Sequence, residues 1–182
     1  MFRLFRKHAN REVIERLHGE IVAAARHPAL YRACGVADTF EGRFEMLVLH
    51  AVLVLRRLRQ FEAPGPDIAQ DLVNAVFAHF DATLREMGLG DLAVPKRMKR
   101  LAEGFFGRAA AYAAALDAGD ESELAAALAR NVFGGRADRP EIDPLERYVR
   151  AAAVALAALP VGAFVAGEIR FADPASYERA LP

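Results

Sequence analysis

The sequence predicts an all-α fold, a single compact bundle of about six to seven helices that includes a C-terminal alanine-rich helix and tail. Apolar residues recur at helical spacing through most of the 182 residues. Proline, glycine and capping residues divide this pattern into segments of ordinary helix length, whereas strand-like alternation is hard to find. A hydrophobic content of 54% is enough for a sizeable core, and the length suits one domain.

The first predicted helix runs from about Arg11 to Arg26 and follows a basic N-terminal segment, residues 1–10. A short second helix opens at Pro28, because proline suits the first helical turn, and Gly35 closes it. These two helices are predicted to form an N-terminal unit.

A long third helix is predicted to begin at a capping box. Asp38 is expected to accept a hydrogen bond from the backbone amide of Glu41, and the helix continues to about Phe61. An Ala-Pro-Gly-Pro break follows. Asp67 is then predicted to cap a fourth helix, which Gly88 stops.

Pro95 is predicted to lie in the first turn of the fifth helix, which Gly119 ends. Asp120 begins another capping box, and its helix ends near residues 133–135. Residues 11–135 would thus form the helical core.

The polar, proline-containing segment 136–144 is predicted to be a linker. After it, residues 145–182 are expected to form an alanine-rich helix to about Leu159 and a tail packed on the core. Beyond Pro160 the helical pattern weakens, so a short helix or an extended tail is predicted there.

Composition excludes several classes of protein. The 24 basic and 24 acidic side chains cancel, so no stable nucleic-acid binding by the whole molecule is predicted. The single cysteine, Cys34, excludes an internal disulfide and is interpreted as structural. The start lacks a secretory signal pattern, which favours a cytoplasmic protein. Leu47–Leu55 is too short to span a bilayer, and Ala151–Gly167 is mostly alanine.

No known catalytic motif is present in the sequence, and no enzyme activity or cofactor is predicted. Glu15 and His18 give one Glu-x-x-His motif, whereas a di-iron bundle needs two, so no metal site is predicted. His50 lies inside an apolar run, where a hydrogen-bonded core histidine is the favoured interpretation.

One predicted helix has a basic face, formed by Lys96, Arg97, Lys99, Arg100 and Arg108. This face would suit RNA or anionic lipid, although a solvated surface balanced by acids elsewhere explains it too. The apolar residues Phe2, Leu4 and Phe5 among basic ones would likewise suit a weak membrane contact or a frayed terminus.

Four blocks carry a resemblance to a known family. They are Gly35-Val36-Ala37-Asp38-Thr39 followed by Glu41-Gly42-Arg43-Phe44; Leu49-His50; Leu84-Arg85-Glu86-Met87-Gly88-Leu89-Gly90-Asp91; and Phe106-Gly107-Arg108 leading to Tyr112. Their order and spacing, over roughly Leu17 to Phe133, resemble the ubiquinol-cytochrome c chaperone family. The region after Arg136 is expected to lie outside the matching core, and Ala37 stands where proline is expected.

The resemblance implies a non-catalytic chaperone that binds newly made cytochrome b during assembly of the cytochrome bc1 complex. Because no targeting extension precedes the first helix, a bacterial member acting at the cytoplasmic face of the inner membrane is expected. The ribosome or a small helper protein would be a further partner, and peripheral membrane contact is compatible with this role. A haem- or metal-handling helical protein and a ribosome- or RNA-associated module remain as alternatives.

The resemblance also indicates residues for partner binding. Asp38, Thr39 and Arg43 would organise the start of the long helix, with Phe44 and His50 lining a groove. Arg85, Glu86, Gly88, Gly90 and Asp91 would form a turn that either binds the client or locks neighbouring helices. Gly107 would permit close helix approach, with an exposed Arg108 and Tyr112 near the same face.

Overall fold

The computed structural model describes the backbone of residues 2–177 and the side chains of residues 10–120 and 122–177. In chain order the elements are α1 (Phe2–Ala25), α2 (Pro28–Arg32), α3 (Phe40–Leu58), α4 (Gly65–Glu86), α5 (Val94–Ala118), α6 (Glu121–Asn131), α7 (Ile142–Ala157), α8 (Val161–Ala166) and a 3₁₀ helix (Pro174–Tyr177). These elements form a compact helical bundle, and no strand occurs in the described part of the chain. The predicted all-α class is confirmed.

Helix α3 is the centre of the bundle. It packs against α1, α4, α5 and α7, and its residues from Phe44 to Leu55 are all buried. A helix that is apolar nearly all round is stable only inside a core, so the Leu47–Leu55 run is a buried helix as predicted. Among residues 2–177, no helix is both long and apolar enough to cross a membrane.

The cap of α3 differs from the predicted one. Thr39, in extended conformation, accepts a hydrogen bond from the backbone amide of Gly42 through its hydroxyl oxygen at 3.2 Å. The helix therefore starts one residue later than expected, and Asp38 binds Arg43 instead, at 2.7 Å. A Cβ atom on Gly42 would lie 1.9 Å from the carbonyl oxygen of Ala37, which explains glycine at that position.

Replacing Thr39 with alanine is expected to lower the free energy of unfolding by about 1 kcal/mol, because the Gly42 amide loses its acceptor. Thr39→Ser keeps a hydroxyl oxygen and should lose much less. Urea denaturation of both variants checks this. Equal losses would show that packing of the threonine methyl group, rather than the cap, is what matters.

The starts of α1, α4 and α7 were also predicted wrongly. Helix α1 begins at Phe2 rather than about Arg11, because no helix-breaking residue separates the basic segment from the helix. The weak membrane contact or frayed terminus predicted for Phe2, Leu4 and Phe5 concerns side chains that lie outside the described ones. Helix α4 begins at Gly65 with proline in its first turn, so Asp67 lies inside the helix and does not cap it.

Helix α7 begins at Ile142, within the segment predicted to be a linker, because Pro144 lacks an amide hydrogen and fits a first turn. The chain then turns back as α8, which packs on α1, and the 3₁₀ helix packs on α7 and α2. The stops at Gly88 and Gly119 are confirmed, since both adopt positive φ angles of 80° and 70°.

Candidate functional site: an apolar groove with a basic rim

A groove of about 330 Å³ opens between the C-terminal parts of α1 and α4 and the start of α3. Its apolar lining comes from all three helices and includes Val22, Phe40, Phe44, Leu47, Phe80 and Met87. The rings of Phe44 and Phe80 are packed with their centroids 5.1 Å apart. Concave apolar surface of this kind suits an apolar segment of a ligand or partner.

The rim of the groove is polar and mainly basic. Arg26, Asp38, Thr39 and Arg43 lie on it, so four of the predicted partner-binding residues, counting Phe44, meet at one place. Arg43 is exposed and pairs with Asp38 at 2.7 Å. This hydrogen bond lowers the pKa of the Asp38 carboxyl group and keeps it ionised.

A second cleft of about 450 Å³ shares Arg26, Asp38 and Arg43 with the groove and extends it towards Tyr31 and Arg32. Three arginines thus surround one aspartate at the junction. Their net positive charge favours an acidic group on whatever occupies the groove.

Two histidines lie next to this groove. The ring centroids of His18, on α1, and His79, on α4, are 5.1 Å apart, and His79 lines the groove. Burial lowers the pKa of both rings, and their mutual repulsion lowers that of His18 further. Both rings are therefore neutral at neutral pH, so the interior wall adds no charge to the groove.

A buried ion pair supports the groove from behind. Arg108 donates from Nε to Glu45 Oε2 at 2.6 Å and from a second guanidinium nitrogen to Glu45 Oε1. The guanidinium also lies 5.4 Å from the ring centroid of Phe44 and donates to the carbonyl of Gly104 at 3.1 Å. Burial raises the pKa of Glu45, but the hydrogen bonds from Arg108 oppose this and hold the carboxylate ionised.

Arg108 was expected to be exposed and available to a partner, and this is wrong, because its side chain is 77% buried by α3 and α5, that is 23% exposed. Tyr112, one turn further along α5, is completely buried. Gly107 does not provide a close helix approach either, since a Cβ atom there would meet open space. The tight position is Gly104, where a Cβ atom would lie 2.9 Å from Arg108 Nη1.

His50 does not line the groove. Its ring is fully buried in α3, where Nδ1 lies 2.7 Å from the Met46 carbonyl oxygen and Nε2 lies 2.5 Å from the Tyr148 hydroxyl. With Nδ1 protonated, it donates to the carbonyl and Nε2 accepts from the hydroxyl. The core interpretation of this histidine is confirmed, and its partner ties α3 to α7.

The sequence block at the end of α4, Leu84 to Asp91, forms a turn held by one arginine. Arg85 donates to Asp81 at 2.7 Å and to Asp91 at 2.6 Å, which fixes the turn to the helix end. Gly88 adopts φ 80°, and Gly90 and Glu86 lie nearby on the surface. These contacts favour the locking role of the turn, while partner binding by Glu86, Gly90 and Asp91 stays a prediction.

Several groove residues were not anticipated from sequence. These are Val22, His79 and Phe80 on α1 and α4, with Arg26 and Met87 directly after the ends of those helices, and only the packing of the helices on α3 brings them to the site. Among the described residues, no three potential ligands of the His, Cys, Asp or Glu types cluster in a way that would hold a metal ion.

Comparison with known proteins identifies the family. The family model described as ubiquinol-cytochrome C chaperone matches residues 32–171. The chain belongs to this family. The match begins later than the Leu17 expected from the sequence blocks and runs well past Arg136. Most of the C-terminal region that was expected to lie outside the matching core, as far as residue 171, is therefore inside it.

Two relatives agree with this assignment. The chain is 25% identical to mouse ubiquinol-cytochrome c reductase complex assembly factor 1 over 136 residues, which cover 74% of this chain but 46% of the mouse protein. A crystal structure of the Cbp3 homologue from Brucella abortus superposes with a TM-score of 0.84 at 41% identity, covering 96% of this chain and 97% of that one. This family member thus spans less than half the length of its mouse relative.

Proposed function

We propose that this protein is a non-catalytic assembly chaperone of the cytochrome bc1 complex, and that it binds newly made cytochrome b in the groove between α1, α3 and α4. The observation that carries the proposal is the apolar groove itself, edged by Arg26 and Arg43, in a member of this family. The mouse relative is named as an assembly factor of the corresponding reductase, which supports the same role.

The physical requirement of such a chaperone matches the groove. A membrane subunit that is not yet assembled exposes apolar helices, and a partner that covers them suppresses wrong association. Covering about 400 Å² of apolar surface contributes roughly 10 kcal/mol gross at about 25 cal/mol/Å², before association costs of several kcal/mol are subtracted. Reversible binding therefore needs no covalent chemistry.

The basic rim adds orientation to this apolar attraction. An apolar client segment that ends in an acidic side chain or a free carboxylate would place that group against Arg26, Arg32 and Arg43, which line the adjoining cleft. The site of action we propose is the cytoplasmic face of the inner membrane, with the ribosome or a small helper protein as a further partner.

Two groove variants test the proposal. Arg43→Glu reverses the charge of the rim, and Met87→Asp places a charge in the apolar lining. Both positions are exposed, so neither change should unfold the protein. We expect each to reduce the recovery of cytochrome b in affinity capture from solubilised membranes by at least about tenfold, because a misplaced charge in an interface costs about 1.4 kcal/mol or more.

The controls are Arg147→Glu and Val154→Asp, the same chemical changes at exposed positions of α7. Met87 is 54% exposed and Val154 is 69% exposed, which makes the second pair closely matched. Quantitative mass spectrometry of the captured proteins provides the readout. If the groove and control variants recover equal amounts of cytochrome b, the client does not bind in the groove.

A further inference from the structure

The turn between α4 and α5 and the outer surface of α5 form a second surface, separate from the groove. Leu92, in the turn between the two helices, is 98% exposed, and Phe106 is 53% exposed on α5. Phe106 is held in place by edge-on packing against Phe105, with centroids 5.4 Å apart. Leu92 and Phe106 thus leave apolar surface exposed before the start of α5 and along its outer side.

Between them lies a set of cations. Lys96, Lys99 and Arg100 are exposed, and their spacing places them with Glu103 and Phe106 on one face of α5. We call these five residues together with Leu92 the α5 outer face. The opposite face, with Val94, Leu101 and Phe105, is buried in the core.

The charges of the α5 outer face are unevenly matched. Lys99 lies 3.9 Å from Glu103, but within the part of the chain that the structure describes neither Lys96 nor Arg100 has an ion-pair partner. Asp91, beside Leu92, is already bound by Arg85 at 2.6 Å. The face therefore presents a net positive charge beside protruding apolar groups.

We propose that the α5 outer face docks on an anionic phospholipid bilayer. Lys96, Lys99 and Arg100 would contact lipid phosphates, while Leu92 and Phe106 would enter the boundary between headgroups and acyl chains. Charge alone would suit RNA equally, but a protruding leucine gains nothing from a phosphate backbone. The exposed Leu92 side chain, which would leave water on entering the bilayer, therefore favours lipid over RNA as the partner.

The surface adjoins the groove without forming part of it. Met87 lines the groove and lies at the start of the turn that carries Leu92. Arg97, at the edge of the α5 outer face, lies 3.8 Å from Glu41 and 6.0 Å from the ring centroid of Phe40, which lines the groove. Docking through this face would hold the groove close to the membrane surface, where a membrane subunit is delivered.

Flotation of the full chain with vesicles tests the inference without any client protein. We expect binding to vesicles of phosphatidylcholine with 30% phosphatidylglycerol and none to phosphatidylcholine alone, and we expect the binding to weaken as salt rises. Reversing Lys96, Lys99 and Arg100 to glutamate should lower the partition coefficient more than about tenfold, because each charge adds to the attraction. Leu92→Asp should lower it several-fold.

The matched controls reverse Arg59, Arg147 and Arg170, which are exposed elsewhere and give the same net charge, and place aspartate at Val154. These controls should float as the natural protein does. Equal losses in test and control variants, or no binding to anionic vesicles, would overturn the proposal. So would tight binding of a single-stranded RNA oligonucleotide that the Lys96, Lys99 and Arg100 reversals abolish and Leu92→Asp leaves unchanged. Loss of vesicle binding with normal cytochrome b capture would separate this surface from the groove.

Discussion

Replacing Arg108 with methionine is expected to lower the free energy of unfolding by about 3 kcal/mol. Methionine fills a similar volume but cannot donate to Glu45, whose residue surface is only 5% exposed. The carboxylate then stays buried without the bidentate bonds that Arg108 supplies. It must either remain charged in an apolar site or take up a proton at neutral pH, and both cost free energy.

A double substitution separates the unpaired charge from the lost packing. Arg108→Met with Glu45→Leu removes both charges, so it should be more stable than Arg108→Met alone. Arg85→Met removes an arginine from an exposed pair with Asp81 and should cause a much smaller loss. Urea unfolding of the four proteins, with the natural chain as reference, gives the comparison. An Arg108→Met loss no greater than that of Arg85→Met would contradict a structural role for the pair.

The same variant is informative about the groove. Arg108 lies 5.4 Å from the ring of Phe44, and Phe44 packs on Phe80 in the groove lining. Any loss of client capture by an Arg108 variant would therefore arise from a displaced groove wall and not from a missing contact with the client. This is why surface residues such as Arg43 and Met87 give the cleaner test of the binding site.

The start of α3 was the part of the site most accessible from sequence. A helix start is a local signal, and Asp38, Thr39, Arg43 and Phe44 lie within seven consecutive residues, so a single local structure brings them together. Their assignment within that structure was off by one residue, because both Asp38 and Thr39 are good capping residues. The side chain that binds the helix amide is decided by backbone conformation at Thr39, which sequence alone does not specify.

The rest of the groove could not be found this way. Its opposite wall comes from α1 and α4. Val22 and Phe80 are far apart in the sequence, and no local sequence pattern indicates that both line the same groove. Arg108 illustrates the same limit. Its partner Glu45 is 63 residues away in the sequence and lies on α3, whose other central residues are almost all apolar and buried. Long-range pairing of this kind follows from helix packing, which depends on the whole bundle.

The two buried polar links share one structural purpose. Glu45 with Arg108 joins α3 to α5, and His50 with Tyr148 joins α3 to α7. Each must be made completely for the central helix to be stable, since an unsatisfied polar group in the core is costly. They therefore specify the rotation of α3, and with it the direction in which Phe44 and Leu47 face the groove.

The stability of the protein is expected to fall steeply as the pH is lowered from about 6.5 to about 4, and His50 should be a main cause. Burial lowers the pKa of His50 to about 4. In the unfolded chain its pKa is about 6.5. Between these values the unfolded state binds a proton that the folded state does not, so stability is lost as pH falls; the full effect is about 3 kcal/mol for a shift of this size.

Substitution of His50 by glutamine isolates this contribution. Glutamine can still accept a hydrogen bond from Tyr148 but does not titrate, so the free energy of unfolding of His50→Gln should change less between pH 6.5 and pH 4 than that of the natural protein. His18 and His79, whose pKa values are also lowered by burial, should leave a residual slope in the variant. The measurement is urea denaturation at half-unit pH intervals, comparing slopes and not absolute stabilities. Parallel curves of unfolding free energy against pH for the two proteins would mean that His50 is protonated in the folded state or that its ring is hydrated. Either result would contradict the buried hydrogen bond between neutral His50 and Tyr148 that joins α3 to α7.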